Sequence, residues 1–207
     1  MISRLANFLV SVAVKDTENS EEAQYREVYQ YVLFIILNYI LFFGYSLILG
    51  LLLGIPFQSI VFFVSLAILR RYAGGYHADT ETRCLIISTS YFTLGILLIK
   101  LLNDGRFQIN LYYVVAAIIC ALIILFLCPC DSPEKPIEGK LRRVIRIKST
   151  ILVVVFLALI LVLWFCNKQI WAFAFVVGLF IETGLIVTGT IKFRKGKLYS
   201  HINNTKE

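Results

Sequence analysis

Residues 28–69 read VYQYVLFIILNYILFFGYSLILGLLLGIPFQSIVFFVSLAIL and contain no charged side chain. A bilayer is crossed by a helix of roughly 20 apolar residues, so this run of forty-two residues is long enough for two spans. Over the whole chain, 59% of the residues are hydrophobic and only 16% are charged, whereas soluble domains carry about 25% charged residues. We therefore predict a polytopic, all-α integral membrane protein.

Further blocks with few charges extend this pattern along the rest of the chain. Together they predict six transmembrane helices in one membrane domain covering 1–207, with spans near 30–53, 57–70, 84–102, 110–128, 150–166 and 170–191. The N-terminal segment 1–27 carries apolar residues at helical spacing, namely Ile2, Leu5, Leu9 and Val12. This spacing indicates a short amphipathic helix, either lying in the membrane interface or packed on the transmembrane bundle.

The basic residues are distributed unevenly between the connecting segments. Seventeen of the twenty lysines and arginines fall in 1–27, 70–83, 129–149 and 192–207. Loops rich in lysine and arginine stay in the cytoplasm. We therefore expect a multi-pass protein of the cell membrane whose two termini, and the segment 70–83, face the cytoplasm.

The segment 129–149 is the most basic of these connections. Its second half, KLRRVIRIKS, suits a basic helix on the membrane surface that contacts anionic lipid or an acidic partner, or it acts as a topology determinant alone. Cys128 and Cys130 form a CPC pair at this segment's boundary with the fourth span, but no further ligands lie nearby to complete a metal site. We expect no metal, no cofactor and no nucleic-acid partner.

The polar stretch between the second and third spans holds the residues that carry chemistry. It reads RRYAGGYHADTETRC from Arg70 to Cys84. Asp79 or Thr80 would cap the helix that follows, which places Cys84 in its first or second turn. There the helix dipole favours a thiolate.

A cysteine nucleophile needs a base, and histidine is the usual one near neutral pH. His77 lies seven residues before Cys84, too far along a continuous helix for direct contact. The pair Gly74 and Gly75 would let the chain fold back and would expose backbone N–H groups to a developing oxyanion. A His77–Cys84 dyad is one interpretation; a cytoplasmic loop with good capping residues is the other.

Glu182 is the one acidic residue inside a predicted span. Ionisable residues within the membrane are functional candidates and usually have a partner. We expect Arg70 or Arg71 to be that partner.

The Arg70–Cys84 motif, in a small protein with six predicted spans, resembles the accessory gene regulator B (AgrB) family of membrane cysteine endopeptidases. The resemblance implies that Cys84 and His77 are catalytic and that a propeptide with an amphipathic leader and an acidic tail is the substrate. It implies a thioester acyl-enzyme, released by an internal cysteine or serine as a cyclic thiolactone or lactone. Family positions matching Arg70, Arg71 and Gly75 would support substrate binding or site architecture, and the resemblance also suggests a homodimer.

Two other classes of protein fit part of the pattern. A small transporter or channel would explain Glu182 and the short second span, but it leaves Cys84 and His77 without a role. A non-catalytic membrane protein that docks the propeptide would form no covalent adduct. A metalloprotease is less consistent with the sequence because no HExxH motif occurs.

Overall fold

The computed structural model describes residues 20–74, 80–105, 112–128 and 139–204, with side chains described between 28 and 192. These residues form helices and no strand, so the all-α prediction is confirmed for them. The predicted amphipathic helix before residue 20 lies outside the described residues. The helices are α1 (Ser20–Leu52), α2 (Pro56–Ala73), α3 (Glu81–Asn103), α4 (Tyr112–Leu127), α5 (Gly139–Phe165) and α6 (Gln169–Asn204).

Four segments of these helices are long and apolar enough to cross a membrane: Val28–Leu52, Glu81–Asn103, Gly139–Phe165 and Gln169–Lys192. Helix α4 is apolar but shorter, and its 16 residues extend about 24 Å. Helix α2 ends in two arginines within its last turn. A multi-pass membrane protein is thus supported, and the number of six crossings stays a prediction.

Two compact units divide the chain, Met1–Tyr45 and Ser46–Glu207. In its described part, the first unit is the N-terminal portion of α1 alone. The second unit contains the end of α1 and all of α2 to α6. Every candidate site residue lies in this second unit.

Helix α6 is the central helix of the second unit. It packs against α2, α3, α4 and α5. In its most apolar window 67% of the residues are buried, against 28% or less in the other three candidate spans. The helix that carries Glu182 is therefore enclosed by protein, whereas the others expose more apolar surface.

Glycines and one tight turn set the position of α2. The turn from α1 uses Gly54 at φ 73°, a conformation that suits glycine, and Pro56 then occupies the first turn of α2, where proline is tolerated. A Cβ on Gly95 of α3 would clash with the Phe62 ring, and a Cβ on Gly178 of α6 would lie 2.7 Å from Ser65 Oγ. Helix α2 thus approaches both helices where they lack a side chain.

Two basic segments belong to helices that continue from the apolar spans. Residues 140–149, which the sequence assigned to the basic loop, are the first turns of α5. The part of the tail up to Asn204 continues α6. The basic residues of 140–148 therefore lie on the same helix as the apolar residues of this candidate span.

Candidate active site

The polar stretch begins on helix and leaves it at a glycine. Helix α2 continues through Arg70 and Arg71 to Ala73. Gly74 follows with φ 81° and ψ −146°, a combination open essentially to glycine, and its N–H donates to Arg70 O at 3.3 Å. Helix α2 therefore ends at Gly74, and the predicted fold-back of the chain stays a prediction because Gly75 and His77 lie outside the described residues.

Two other helices hold the C-terminal end of α2. The last carbonyls of a helix have no partner within it. Ser149 Oγ of α5 donates to Tyr72 O at 2.8 Å, and Cys128 Sγ, just after α4, lies 3.6 Å from Ala73 O. The start of the Gly74 turn is thereby tied to α4 and α5. The sequence did not predict this role of Cys128 and Ser149, because both lie more than fifty residues from the end of α2 along the chain.

Cys84 lies in the first turn of α3. Thr80 is the N-cap residue, and its side chain accepts from Arg83 N at 3.3 Å. Cys84 N donates to Thr80 O at 3.0 Å, and the Cys84 side chain is half-buried. The predicted cap is confirmed at Thr80, and the thiol lies at the positive end of the helix dipole.

Arg70 of α2 reaches into the bundle toward α3. Its guanidinium donates a hydrogen bond to the Tyr91 hydroxyl and lies 5.6 Å from the centre of that ring, within cation–π range. The Tyr91 hydroxyl donates in turn to Ser88 Oγ at 3.1 Å.

Glu182 is fully buried on α6. Neither of its carboxylate oxygens has a hydrogen-bond partner among the described residues. Arg70 interacts with it electrostatically, whereas Arg71 is exposed. Of the two partners predicted for Glu182, Arg70 is the one that acts on it electrostatically, and no hydrogen bond joins these two described residues; a direct pairing stays a prediction. We call Arg70, Ser88, Tyr91 and Glu182 the Arg70 cluster.

An apolar cleft of about 950 Å³ lies between α3, α4 and α6. Apolar side chains such as Leu94, Ile119 and Phe180 line it, together with Tyr91. Among its hydroxyls, that of Thr183 donates to the Leu179 carbonyl of its own helix. Tyr91 therefore belongs both to the lining of this apolar cleft and to the Arg70 cluster.

Ser88 and Tyr91 were not among the site residues predicted from the sequence. They follow Cys84 by four and seven residues, a spacing that places all three on one face of a helix. The sequence shows this spacing, but it does not show that Arg70, on another helix, contacts this face of α3.

The helices and the Arg70 cluster define a class of protein: a multi-pass membrane protein with a half-buried cysteine in the first turn of one helix, a half-buried arginine and a fully buried acid. The sequence profile of the accessory gene regulator B family (AgrB) matches residues 2–186. The chain belongs to this family, and the predicted family resemblance is confirmed.

Three curated relatives agree with this assignment. AgrB-like proteins of Clostridium perfringens strain SM101 and strain 13 are each 25% identical, over 69% and 61% of this chain. An AgrB-like protein of Listeria innocua is 28% identical over 68% of this chain. The aligned regions cover 67%, 61% and 65% of these relatives, respectively. No solved structure matches the chain.

Proposed function

We propose that the chain is a membrane cysteine endopeptidase that cleaves the C-terminal part of a quorum-sensing propeptide and leaves a cyclic thiolactone or lactone. The observation that carries this proposal is the position of Cys84, half-buried in the first turn of α3 and on the same helix face as Ser88 and Tyr91. Membership of the AgrB family supports the role in quorum-sensing peptide processing.

In the first step, Cys84 sulfur forms a bond to the scissile carbonyl carbon and the peptide C–N bond breaks. His77 takes the thiol proton and later gives it to the leaving amine. The product of this step is a thioester between Cys84 and the N-terminal part of the propeptide.

In the second step, a cysteine or serine within the bound peptide attacks the thioester carbonyl. A new thioester or ester closes the ring, and the Cys84 thiol is regenerated with the proton of the attacking group. Water must be kept from the thioester for this step to prevail over hydrolysis. A half-buried sulfur at the end of a helix bundle suits that requirement.

The remaining candidate residues support the site without taking part in bond making. Arg70 and Glu182 interact across the bundle, and Gly74 starts the turn that leads toward His77. Gly75 would continue that turn, and exposed Arg71 would attract the acidic tail of the propeptide. Cytoplasmic placement, membrane lipid as a partner and a homodimer belong to the same proposal.

The apolar cleft bears on the alternative that the chain is a transporter or channel. Its walls are made of aliphatic and aromatic side chains. A hydrated ion or polar solute would find few hydrogen-bond partners there, whereas a membrane-associated peptide carries apolar side chains. The cleft therefore favours the peptide substrate.

Mass spectrometry of the purified protein in liposomes with a candidate propeptide tests the proposal. We expect a mass increase at Cys84 that matches the N-terminal part of the propeptide joined through a thioester. Hydroxylamine should remove this adduct, because it cleaves thioesters. Cys84→Ala and His77→Ala should both abolish the adduct and the cyclic product.

Cys166→Ala is the matched control, because Cys166 is exposed and follows the end of α5. It should form the adduct and the cyclic product at the rate of the unaltered protein. Processing that survives in Cys84→Ala would exclude the cysteine endopeptidase. Peptide binding without any adduct in the unaltered protein would favour the docking protein.

A further inference from the structure

Helix α2 ends in a different way from the glycine cap that commonly closes a helix. In that cap the glycine adopts left-handed helical angles, with ψ near 47°. Gly74 has a positive φ of 81°, but its ψ is −146°. The direction in which the chain leaves α2 is therefore not the one that the usual cap would give.

Two hydrogen bonds from other helices reach the last turn of α2. Ser149 of α5 donates to Tyr72 O at 2.8 Å, although 77 residues separate the two along the chain. The thiol of Cys128, just after α4, donates to Ala73 O at 3.6 Å. Both donors are buried, so water competes little for these bonds. We call Cys128 and Ser149 the α2 clamp.

Ser149 differs in this respect from its neighbour Thr150. Thr150 is exposed, and its hydroxyl donates to Arg146 O at 2.9 Å, the usual bond of a serine or threonine inside a helix. Ser149 Oγ also lies 2.9 Å from Ile145 O of its own helix, but it shares its one hydrogen with Tyr72 O. The bond to Tyr72 O thus joins two helices, whereas the bond of Thr150 stays within one.

The α2 clamp holds one of two fixed points on either side of His77. Gly74 directly follows the clamped carbonyls, and Thr80 caps α3, the helix that carries Cys84. His77 lies three residues from each of these points, and three residues span at most about 11 Å. A shift of Gly74 therefore changes the positions that His77 can reach relative to Cys84.

We propose that Ser149 and Cys128 are positioning residues for His77: by holding the end of α2 against α4 and α5, they keep the base within reach of Cys84. The proposal rests on the proposed function and deepens it, since it concerns the base of that reaction. A general base must come within about 2.6–3.2 Å of the group whose proton it takes. A misplacement of about 1 Å can therefore cost about 100-fold in rate.

Acylation of Cys84 by p-nitrophenyl acetate tests the proposal on the full chain in liposomes. The Cys84 sulfur forms a bond to the acetyl carbon, the ester C–O bond breaks to release p-nitrophenolate, and His77 takes the thiol proton. Mass spectrometry of the Cys84 peptide gives the rate. We expect Ser149→Ala to react at least about tenfold more slowly. Cys128→Ala should slow the reaction less, because a thiol is a weak donor.

The same substitution in a His77→Ala background separates positioning from a general structural effect. His77→Ala alone should lower the rate by about 10²–10⁴-fold, the usual contribution of a general base. Ser149→Ala should then have no further effect, because no base is left to misplace and residues that act as a unit are not additive. An equal loss in both backgrounds would overturn the proposal, since Ser149 would then act independently of His77.

Thr150→Ala is the matched control, because Thr150 is the exposed neighbour whose hydroxyl donates within α5. It should react at the rate of the unaltered protein. A Ser149→Ala variant that reacts at the rate of this control would overturn the proposal. If Ser149→Ala does not fold, Cys128→Ala in the same two backgrounds provides the comparison.

This measurement needs no propeptide. If His77→Ala reacts at the rate of the unaltered protein, His77 is not the base, and the proposed dyad fails together with the inference. If His77→Ala is slow while Ser149→Ala matches the control, the inference alone fails and the dyad stands. The two failures are therefore distinguishable.

Discussion

At the scale of single residues, Glu182 is an acidic side chain that the described part of the protein buries completely. A fully buried carboxylate without hydrogen bonds is costly unless a positive charge compensates it. Arg70 offsets part of that cost electrostatically from α2, without a hydrogen bond to the Glu182 carboxylate, and desolvation remains the larger effect.

We predict that Glu182 and Arg70 are energetically coupled. In a double-mutant cycle of Glu182→Gln and Arg70→Gln, the two single variants should each unfold more easily in detergent. The double variant should be less destabilised than the sum of the two, with a coupling of about 0.5–3 kcal/mol, because neither charge is then left alone.

Arg71→Gln is the control for this cycle, since Arg71 is the exposed neighbour of Arg70. It should show coupling to Glu182→Gln near zero. Additive effects of the Arg70 and Glu182 substitutions would contradict the pairing.

At the scale of helices, α2 carries Arg70 and is held close to its neighbours by glycines. Gly95 leaves room for the Phe62 ring, and the two aromatic rings of Phe62 and Phe92 meet edge to face at 5.8 Å between centroids. Widening this contact would move α2 away from α3. The distance between Arg70 and Tyr91 depends on that spacing.

We predict that Gly95→Ala destabilises the protein and weakens processing. A Cβ at this position would overlap the Phe62 ring, and such overpacking typically costs about 1–3 kcal/mol. Thermal unfolding in detergent measures the first effect, and the rate of propeptide cleavage measures the second.

Gly184→Ala on α6 is the control for Gly95→Ala, because a Cβ added at Gly184 would have no atom of another residue within 4 Å. Alanine there should be neutral or stabilise by about 0.4–1 kcal/mol, since it reduces the freedom of the unfolded chain. Equal unfolding temperatures for both variants would argue against the close packing of α2 on α3.

At the scale of the whole molecule, the distribution of basic residues predicts which side of the membrane each end faces. With six crossings, this distribution would place the turn between α5 and α6 outside the cell and both termini inside. Cys166 is exposed in that turn. It is thus a natural probe of sidedness.

We predict that Cys166 reacts with a membrane-impermeant maleimide in intact cells. In a Cys166→Ala background, a cysteine introduced in the tail by Ser200→Cys should react only after the cells are permeabilised. The reverse order of reactivity would contradict the predicted topology. It would mean that the protein has the opposite orientation in the membrane, or that the number of crossings differs from six by an odd number.

The apolar blocks determined which segments are helical, since charge-free runs long enough for a bilayer appear directly in the sequence. The cap at Thr80 and the end of α2 at Gly74 could also be predicted from the sequence. Both depend on local residue types: a capping side chain bonds within the first turn of its own helix, and a positive φ suits glycine. The number of membrane crossings was harder to predict from the sequence. Helices α2 and α4 fall near the length limit, where composition alone does not decide.

The sequence by itself determined an all-helical membrane protein, the motif from Arg70 to Cys84 and the family to which the chain belongs. Only the tertiary structure decided that Arg70 rather than Arg71 acts electrostatically on Glu182, and that Tyr91 accepts a hydrogen bond from Arg70 and donates one to Ser88. The physical reason is that these contacts join α2, α3 and α6. Their partners are set by how helices pack, which the spacing of residues along one helix does not encode.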